Sequence, residues 1–220
     1  MGNNSIQRPE DIDTLINGVE RYNPENISIL EEYLTKQIET NHYDLEANLA
    51  ILKLYQFNPN LAKESVIIKI LVKALTAIPA PDFNLCLYLL AEQAHLESIQ
   101  KLTDLQQLLE QARYVKFWQS DLKPWTQVVP NFEDEIRLVI ARVMTMSHQT
   151  ILSSALAAQL GLTDDKDAFN KFCESQGWKT KDDDLIQIPI NKDNEAKAVV
   201  IRENIKFEQF TKVIGYSNEM

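Results

Sequence analysis

Residues 43–59 constrain the fold most strongly, because they predict a helix that is apolar on two adjoining faces. Asp44 can cap its first turn by accepting from free amide groups, and Pro59 ends it. A helix with two apolar faces needs packing partners on both sides, so we predict an inner helix of a stack. Its faces carry Leu45, Leu49 and Leu52, and Ala47, Ile51 and Leu54.

The first half of the chain predicts one amphipathic helix after another. Pro9 and Glu10 are typical of a helix start, and Asn26 is placed to cap the second helix. Two prolines around Ala80 interrupt the series before a cap at Asp82. After a first helix that follows Pro9, we predict helices over 27–38, 44–57, 61–78, 83–96, 99–111 and 114–122.

An internal repeat accompanies this series of helices. Tyr22-Asn23-Pro24 and Phe57-Asn58-Pro59 are the same aromatic-Asn-Pro break, 35 positions apart from Asn23 to Asn58. Helix pairs at that period are typical of α-solenoids of the TPR or HEAT kind. Helices in any bundle also need stops, so a non-repetitive bundle stays open as the alternative.

The pattern changes at residues 124–130, which we interpret as a domain junction. Asn131 is placed to cap a helix that runs through Met146, and a short extended segment follows at 148–151. A helix at 153–160 is closed by Gly161, and one at 164–176 by Gly177. Alternating runs at 185–190 and 198–201 predict two strands.

This order of elements is typical of a winged helix. We therefore predict a mainly α protein in which HEAT-like α-helical repeats (1–127) precede a winged-helix domain with a small antiparallel sheet (128–220). An amphipathic helix at 207–214 ends the chain. Trp118, Trp125 and Trp178 are expected in the core or at the domain junction.

The charge balance disfavours binding to nucleic acid. The net charge of −10 and the pI near 4.8 produce a field that repels phosphate backbones. In the winged-helix region, residues 148–215 hold nine Lys or Arg and eleven Asp or Glu. The presumed recognition helix offers only Lys166 and Lys171, so direct nucleic-acid contact is not expected and a protein-binding surface is favoured.

The sequence offers no set of residues for catalysis or for a cofactor. Five glycines leave no room for a phosphate loop, a dinucleotide fingerprint or a nucleophile elbow. His42, His95 and His148 are not at metal-ligand spacing, and the acidic clusters at 164–167 and 182–184 lack the EF-hand pattern. We expect no enzyme, no metal and no cofactor.

Cysteine use and hydropathy indicate a soluble protein of a reducing compartment. Cys86 and Cys173 are expected to be buried free thiols. No signal peptide is visible, and the most apolar run, 66–78, is too short to span a bilayer. Lys69 and Lys73 interrupt that run and are expected on its solvated face. The prediction is a cytoplasmic protein without membrane contact, with the nucleus open as a second location.

Several segments together resemble the subunit K family of eukaryotic translation initiation factor three. The resemblance covers nearly the whole chain and is most specific at 43–59. Its other motifs are Arg21-Tyr22-Asn23-Pro24-Glu25-Asn26, Lys73-Ala74-Leu75-Thr76, Asp82-Phe83, Leu85-Cys86, Phe117-Trp118-Gln119, Phe132-Glu133-Asp134 and Gly177-Trp178.

That resemblance implies a PCI-type architecture, which is shared with subunits of the proteasome lid and the signalosome. It implies a non-catalytic subunit that pairs with subunit L, in a factor that binds the small ribosomal subunit and promotes recruitment of initiator tRNA and mRNA. A lid or signalosome subunit and a direct RNA-binding winged-helix protein stay open as alternatives.

Partner contacts are expected on the winged helix and the last helix. An edge strand would offer its backbone, and the helix would offer an apolar stripe. The stripe could equally fold back on its own domain. The predicted contact residues are Gln187, Ile188, Ile190, Val199 and Ile201 in the strands, and Phe207, Phe210, Val213 and Ile214 in the helix.

Overall fold

The computed structural model describes residues 8–182, 184–196 and 206–217. This part of the chain is mainly helical, with a three-stranded antiparallel sheet towards its end. The helices are Glu10–Asn17 (α1), Ile27–Glu39 (α2), Leu45–Phe57 (α3), Glu64–Leu75 (α4), Asp82–Leu90 (α5), Glu97–Glu110 (α6), Tyr114–Trp118 (α7), Lys123–Val128 (α8), Phe132–Ser147 (α9), Ser153–Leu160 (α10), Lys166–Ser175 (α11) and Phe207–Ser217 (α12).

Helix α3 is the inner helix that its two apolar faces predict. The Asp44 carboxylate accepts from the Ala47 amide at 3.2 Å, which caps the first turn as expected. Helices α1, α2, α4 and α5 all pack against α3. Its buried residues are Ala47, Asn48, Ala50, Ile51, Leu52, Leu54 and Tyr55.

The two aromatic-Asn-Pro breaks lie side by side in the structure. Each leads into a single 3-10 turn, Pro24–Asn26 or Pro59–Leu61, and the Tyr22 and Phe57 rings are 6.5 Å apart. Contact between equivalent breaks is expected when helix pairs stack. The predicted cap at Asn26 is wrong, because Asn26 is itself in the helical region and its side chain donates to the Glu20 carbonyl at 3.0 Å.

The structure differs from the predicted helices where proline begins a turn. Residues 59–61 form a 3-10 turn, so α4 starts at Glu64 and not at residue 61. At the predicted junction the chain forms α8, because a proline is compatible with the first turn of a helix. Trp125 of α8 is buried, and the predicted division after residue 127 falls in the last turn of this helix.

The sheet has the strand order β1-β3-β2, with β1 at Thr150–Leu152, β2 at Lys179–Asp182 and β3 at Leu185–Gln187. Both pairings are antiparallel, and a bulge interrupts β2 between Thr180 and Asp182. The sequence analysis missed β2, whose Lys-Thr-Lys-Asp sequence has no apolar alternation. The second predicted strand, 198–201, lies outside the described residues.

Trp118 joins the helical repeats to the winged helix. Its indole Nε1 donates to the Gln159 carbonyl at 2.8 Å, at the end of α10. The Arg137 guanidinium of α9 lies over the indole at 5.0 Å and donates to the Leu160 carbonyl. Trp125 and Trp178 are buried. The three tryptophans therefore occupy the core and the junction, as predicted.

Lys73 is buried, which contradicts its predicted place on a solvated face. Its Nζ donates to the Asn41 side-chain oxygen at 3.2 Å, and the Asn41 amide donates to the Glu135 carboxylate. Burial lowers the pKa of Lys73, and the charge of Glu135 partly opposes this effect. Two consecutive side-chain hydrogen bonds, from Lys73 to Asn41 and from Asn41 to Glu135, thus link α4, the α2–α3 turn and α9.

Candidate interaction surface

Strand β3 is the central strand of the sheet, so Gln187, one of the predicted contact residues, does not lie on an edge strand. Gln187 at its end pairs with Thr150 of β1 on one side and with Lys179 of β2 on the other. Because both sides of β3 are occupied, it cannot accept a strand from a partner. Among the described residues, β1 and β2 are the outer strands.

The two outer strands differ in the side chains they offer. Strand β2 carries the exposed Lys179 and Lys181 and has a bulge, two features that oppose pairing with another strand. Strand β1 has no charged residue, and its Leu152 is half exposed. Strand β1 is therefore the more suitable edge for a partner strand.

The residues after β3 divide between the core and the surface. Ile188 is fully buried, and its amide donates to the Gln149 carbonyl at 2.9 Å. Its side chain stabilises the domain and cannot reach a partner. Ile190 is 64% exposed and stays available. Val199 and Ile201 lie outside the described residues.

An asparagine turn holds Ile190 beside the end of α9. The Asn191 side-chain oxygen accepts from the amides of Asp193 and Asn194. The side-chain amides of Asn191 and Asn194 donate to the Thr145 carbonyl at 2.8 and 3.1 Å. The Asn-Lys-Asp-Asn sequence of residues 191–194 is typical of an Asx turn, so this contact had a sequence signal beyond the polarity of the segment.

Helix α12 presents an exposed apolar stripe. Phe210 and Ile214, one turn apart, are 52% and 45% exposed, and the side chains that are described along this helix are all exposed. The Gln209 side chain accepts from the Lys206 amide at 3.0 Å and so caps the first turn. The side chains of Phe207 and Val213 lie outside the described part of the structure.

Helix α11, at the position of a recognition helix, presents mixed charges. Asp165 caps it by accepting from the Ala168 amide at 2.9 Å, which places a carboxylate at its start. Lys166 and Lys171 are exposed, and so are Asp167 and Glu174. Phosphate binding needs several cations on one surface. This helix does not provide them.

The buried thiols are unsuited to nucleophilic chemistry. Burial raises the pKa of Cys86 to about 12, with a further contribution from the charge of Asp82. Burial also raises the pKa of Cys173 to about 11. Both thiols therefore stay protonated at neutral pH, and the thiolate is the reactive form.

The described part of the chain, residues 8–182, 184–196 and 206–217, holds no group of His, Cys, Asp and Glu that could bind a metal ion. None of its helices combines the length and the hydropathy needed to cross a membrane.

A family model described as "CSN8/PSMD8/EIF3K family" matches residues 61–200, which is more than half of the chain. The chain belongs to this family. The match begins after α3 and includes the helices from α4 to α11 and the three described strands.

Relatives that match over almost their whole length narrow the comparison within the CSN8/PSMD8/EIF3K family. A protein of Sclerotinia sclerotiorum named eukaryotic translation initiation factor 3 subunit K is 45% identical, over 97% of this chain and 95% of its own. Proteins with the same name from Neurospora crassa and Yarrowia lipolytica are 40% and 38% identical, and each alignment covers at least 96% of both chains. These full-length matches favour the initiation factor over the lid and the signalosome.

Proposed function

We propose that this protein is a scaffold subunit of eukaryotic translation initiation factor three. That factor binds the small ribosomal subunit and promotes recruitment of initiator tRNA and mRNA in protein synthesis. The identity to proteins named subunit K, over at least 95% of both chains, carries the assignment. The proposed role is non-catalytic, as the names of these relatives indicate a subunit of a translation factor.

The C-terminal helix is the proposed contact with neighbouring subunits. Phe210 and Ile214 form a stripe at helical spacing, and their exposure supports outward docking over folding back on the winged helix. An exposed apolar stripe on a helix is stabilised when it enters a groove or a helical bundle of a partner. The exposed Ile190 and the uncharged edge of β1 are the second proposed contact.

Subunit L is the proposed immediate partner, and contact with the small ribosomal subunit is proposed to occur through the assembled factor. Direct contact with RNA is not part of the proposal, because α11 presents carboxylates beside its two lysines. The proposed location is the cytoplasm, where initiation takes place, with the nucleus open as a second site.

Substitution in the α12 stripe tests the docking role. Phe210→Asp places a charge in the centre of the stripe, and we expect loss of co-purification with subunit L and the other subunits. Lys212→Gln is the matched control, because it also makes the charge more negative by one unit, at an exposed position about 160° away from Phe210 around the helix. The measurement is affinity purification of each tagged variant from cells that lack the untagged protein.

Circular dichroism and thermal unfolding of each purified variant separate lost docking from lost folding. Assembly that survives Phe210→Asp in a folded protein would refute the docking role of α12 but not membership of the complex. Recovery of lid or signalosome subunits with the unaltered protein would refute the assignment itself.

A further inference from the structure

A groove of about 700 Å³ lies between the start of α4, helix α6 and helix α8, apart from the surface proposed above. Its apolar lining, called the floor below, consists of Leu96, Leu105, Leu108, Pro124 and Trp125. Leu105 and Trp125 belong to the core, whereas Leu96 is 39% exposed at the start of α6. The groove therefore joins the buried core to an open apolar surface.

The rim of the groove is acidic. Glu64 of α4, Asp104 of α6 and Asp121 before α8 are all exposed there. The Ser98 hydroxyl donates to the Glu64 carboxylate at 2.6 Å, and the Lys123 amide donates to the Asp121 carboxylate at 3.3 Å. Among the described residues, no Lys or Arg forms an ion pair with these three carboxylates.

Among the described residues, the one cation that lines the groove already has an ion-pair partner. Lys101 forms an ion pair with Glu97 at 2.8 Å, one turn earlier on α6. The hydrogen bond that Lys101 donates to the Glu97 carboxylate raises the pKa of Lys101, and the charge of Asp121 acts in the same direction. The rim consequently keeps a surplus of negative charge around an apolar floor.

We infer that this groove binds a basic amphipathic segment of a partner protein. Apolar side chains of the segment would lie on Leu96 and Leu108, and its lysines or arginines would face Glu64, Asp104 and Asp121. A nucleic acid or an acidic peptide would be repelled by the same rim. The inference goes beyond the proposed function and does not depend on it, because α12 and the sheet contribute nothing to this groove.

A designed peptide tests the groove on the intact chain. The probe is a fluorescein-labelled helical peptide of about three turns, with leucine on one face and lysine on the other. Its counterpart has glutamate in place of every lysine. Fluorescence anisotropy at low and at physiological ionic strength measures binding. We expect the lysine peptide to bind with an affinity that falls as salt rises, and the glutamate peptide not to bind.

Two pairs of variants locate the binding. Asp104→Lys reverses a rim charge and should weaken binding of the lysine peptide about tenfold or more, since like charges then face each other. Glu39→Lys makes the same change of charge on an exposed position of α2, outside the groove, and should leave binding within about twofold.

The second pair tests the apolar floor. Leu96→Ser removes an exposed apolar side chain while placing a hydroxyl at the N-cap of α6, so it should not weaken that helix. We expect about fivefold weaker binding. Leu138→Ser removes a similarly exposed leucine from α9 and should have no effect on binding of the lysine peptide.

The outcomes decide the inference. Weaker binding in Asp104→Lys and Leu96→Ser, with both controls unchanged, supports the groove. Equal losses in Glu39→Lys and Asp104→Lys would show non-specific attraction to an acidic protein and would overturn it. Absence of binding by the lysine peptide at low salt, or equal binding of the glutamate peptide, would overturn it as well.

Discussion

Two glycines share a left-handed backbone but differ in what surrounds them. Gly161 has φ +66° and Gly177 has φ +70°, and each closes a helix of the winged-helix domain. A Cβ on Gly161 would lie 2.6 Å from the Trp118 ring, whereas a Cβ on Gly177 would meet nothing within 4 Å. Sequence analysis predicted both helix ends from glycine alone. It could not predict the contact with Trp118, which depends on tertiary packing.

We expect Gly161→Ala to destabilise the protein more than Gly177→Ala. An alanine in the left-handed conformation lowers the free energy of unfolding by about 1 kcal/mol in either variant. Gly161→Ala must also displace the Trp118 indole, so its total cost should be about 3 kcal/mol. Urea unfolding followed by circular dichroism gives both values. Equal costs would show that the close approach of Gly161 to the indole is not a constraint.

Lys73 is a residue whose type predicts a solvated environment, whereas the structure places it in a buried one. Lysine is rarely buried without a carboxylate partner, so a solvated position was the reasonable prediction. Here the ammonium group is buried against Asn41, and the Glu135 carboxylate, which accepts from Asn41, is its nearest source of compensation. A single sequence does not reveal that three elements meet around this group.

We expect Lys73→Met to leave the free energy of unfolding unchanged or raised by about 1 kcal/mol, because a buried charge is replaced by a side chain of similar volume. The pKa of Lys73 is lower in the folded protein than in the unfolded chain. Its burial penalty is therefore present at neutral pH and disappears as pH rises towards about 10.4.

The difference between Lys73→Met and the unaltered protein should accordingly shrink between neutral pH and pH of about 10. Lys69→Met, one turn earlier on the same helix, is the control for added hydrophobic surface. A loss above about 2 kcal/mol in Lys73→Met would show that the hydrogen bond to Asn41 outweighs the burial penalty.

At the scale of elements, the caps of α3 and α11 show how the same residue type acts in two settings. Asp44 caps α3, and it also accepts from Arg8 Nε at 2.6 Å and from the Tyr33 hydroxyl at 3.2 Å. Asp165 caps α11 at an exposed position. The cap at Asp44 could be predicted from its place before an apolar run. Its partners Arg8 and Tyr33 lie elsewhere in the sequence and could not.

We expect Asp44→Ala to lower the free energy of unfolding by about 3 kcal/mol, because the cap and the ion pair with Arg8 are lost together. Asp165→Ala is the matched control and should cost about 1 kcal/mol. Burial opposes ionisation of Asp44, but the hydrogen bonds from Arg8 and Ala47 outweigh it, so the pKa of Asp44 lies below its ordinary value.

The stabilisation by Asp44 is fully present above the ordinary carboxyl pKa of about 3.9 and is lost as pH falls through the lower pKa of the folded protein. The difference in free energy of unfolding between the unaltered protein and Asp44→Ala, which we call the gap, should therefore stay constant from neutral pH to about pH 5. It should narrow below about pH 4. Unfolding with urea at several pH values measures it. A gap that is independent of pH would contradict a role for the ionised carboxylate.

At the scale of the whole molecule, the helical repeats and the winged helix share one core. Helices α8 and α9 both pack on α4, and the buried apolar residues form a single cluster from Ile12 to Ile188. Helical periodicity predicted most of the helices and the order of the two parts. Their shared packing was not predictable, because it depends on the contacts of Trp118, Lys73 and Trp125. The sequence does not show which residues these three side chains contact.

We expect the intact chain to unfold in one cooperative transition. Tryptophan fluorescence reports on Trp125 in α8, Trp118 at the contact between the two parts and Trp178 in the winged helix. It should therefore change at the same urea concentration as helical circular dichroism. Two separate transitions would support the predicted division after residue 127 as a boundary between independent domains.

The position of β3 also has a consequence for synthesis of the chain. Strand β1 leaves the ribosome before β2. Neither strand can form its pairing until β3 has been synthesised, because β3 pairs with each of them. The helices from α1 to α9 precede every strand and can pack as the chain emerges. Both described strand pairings therefore become possible at the same moment, when β3 has left the ribosome.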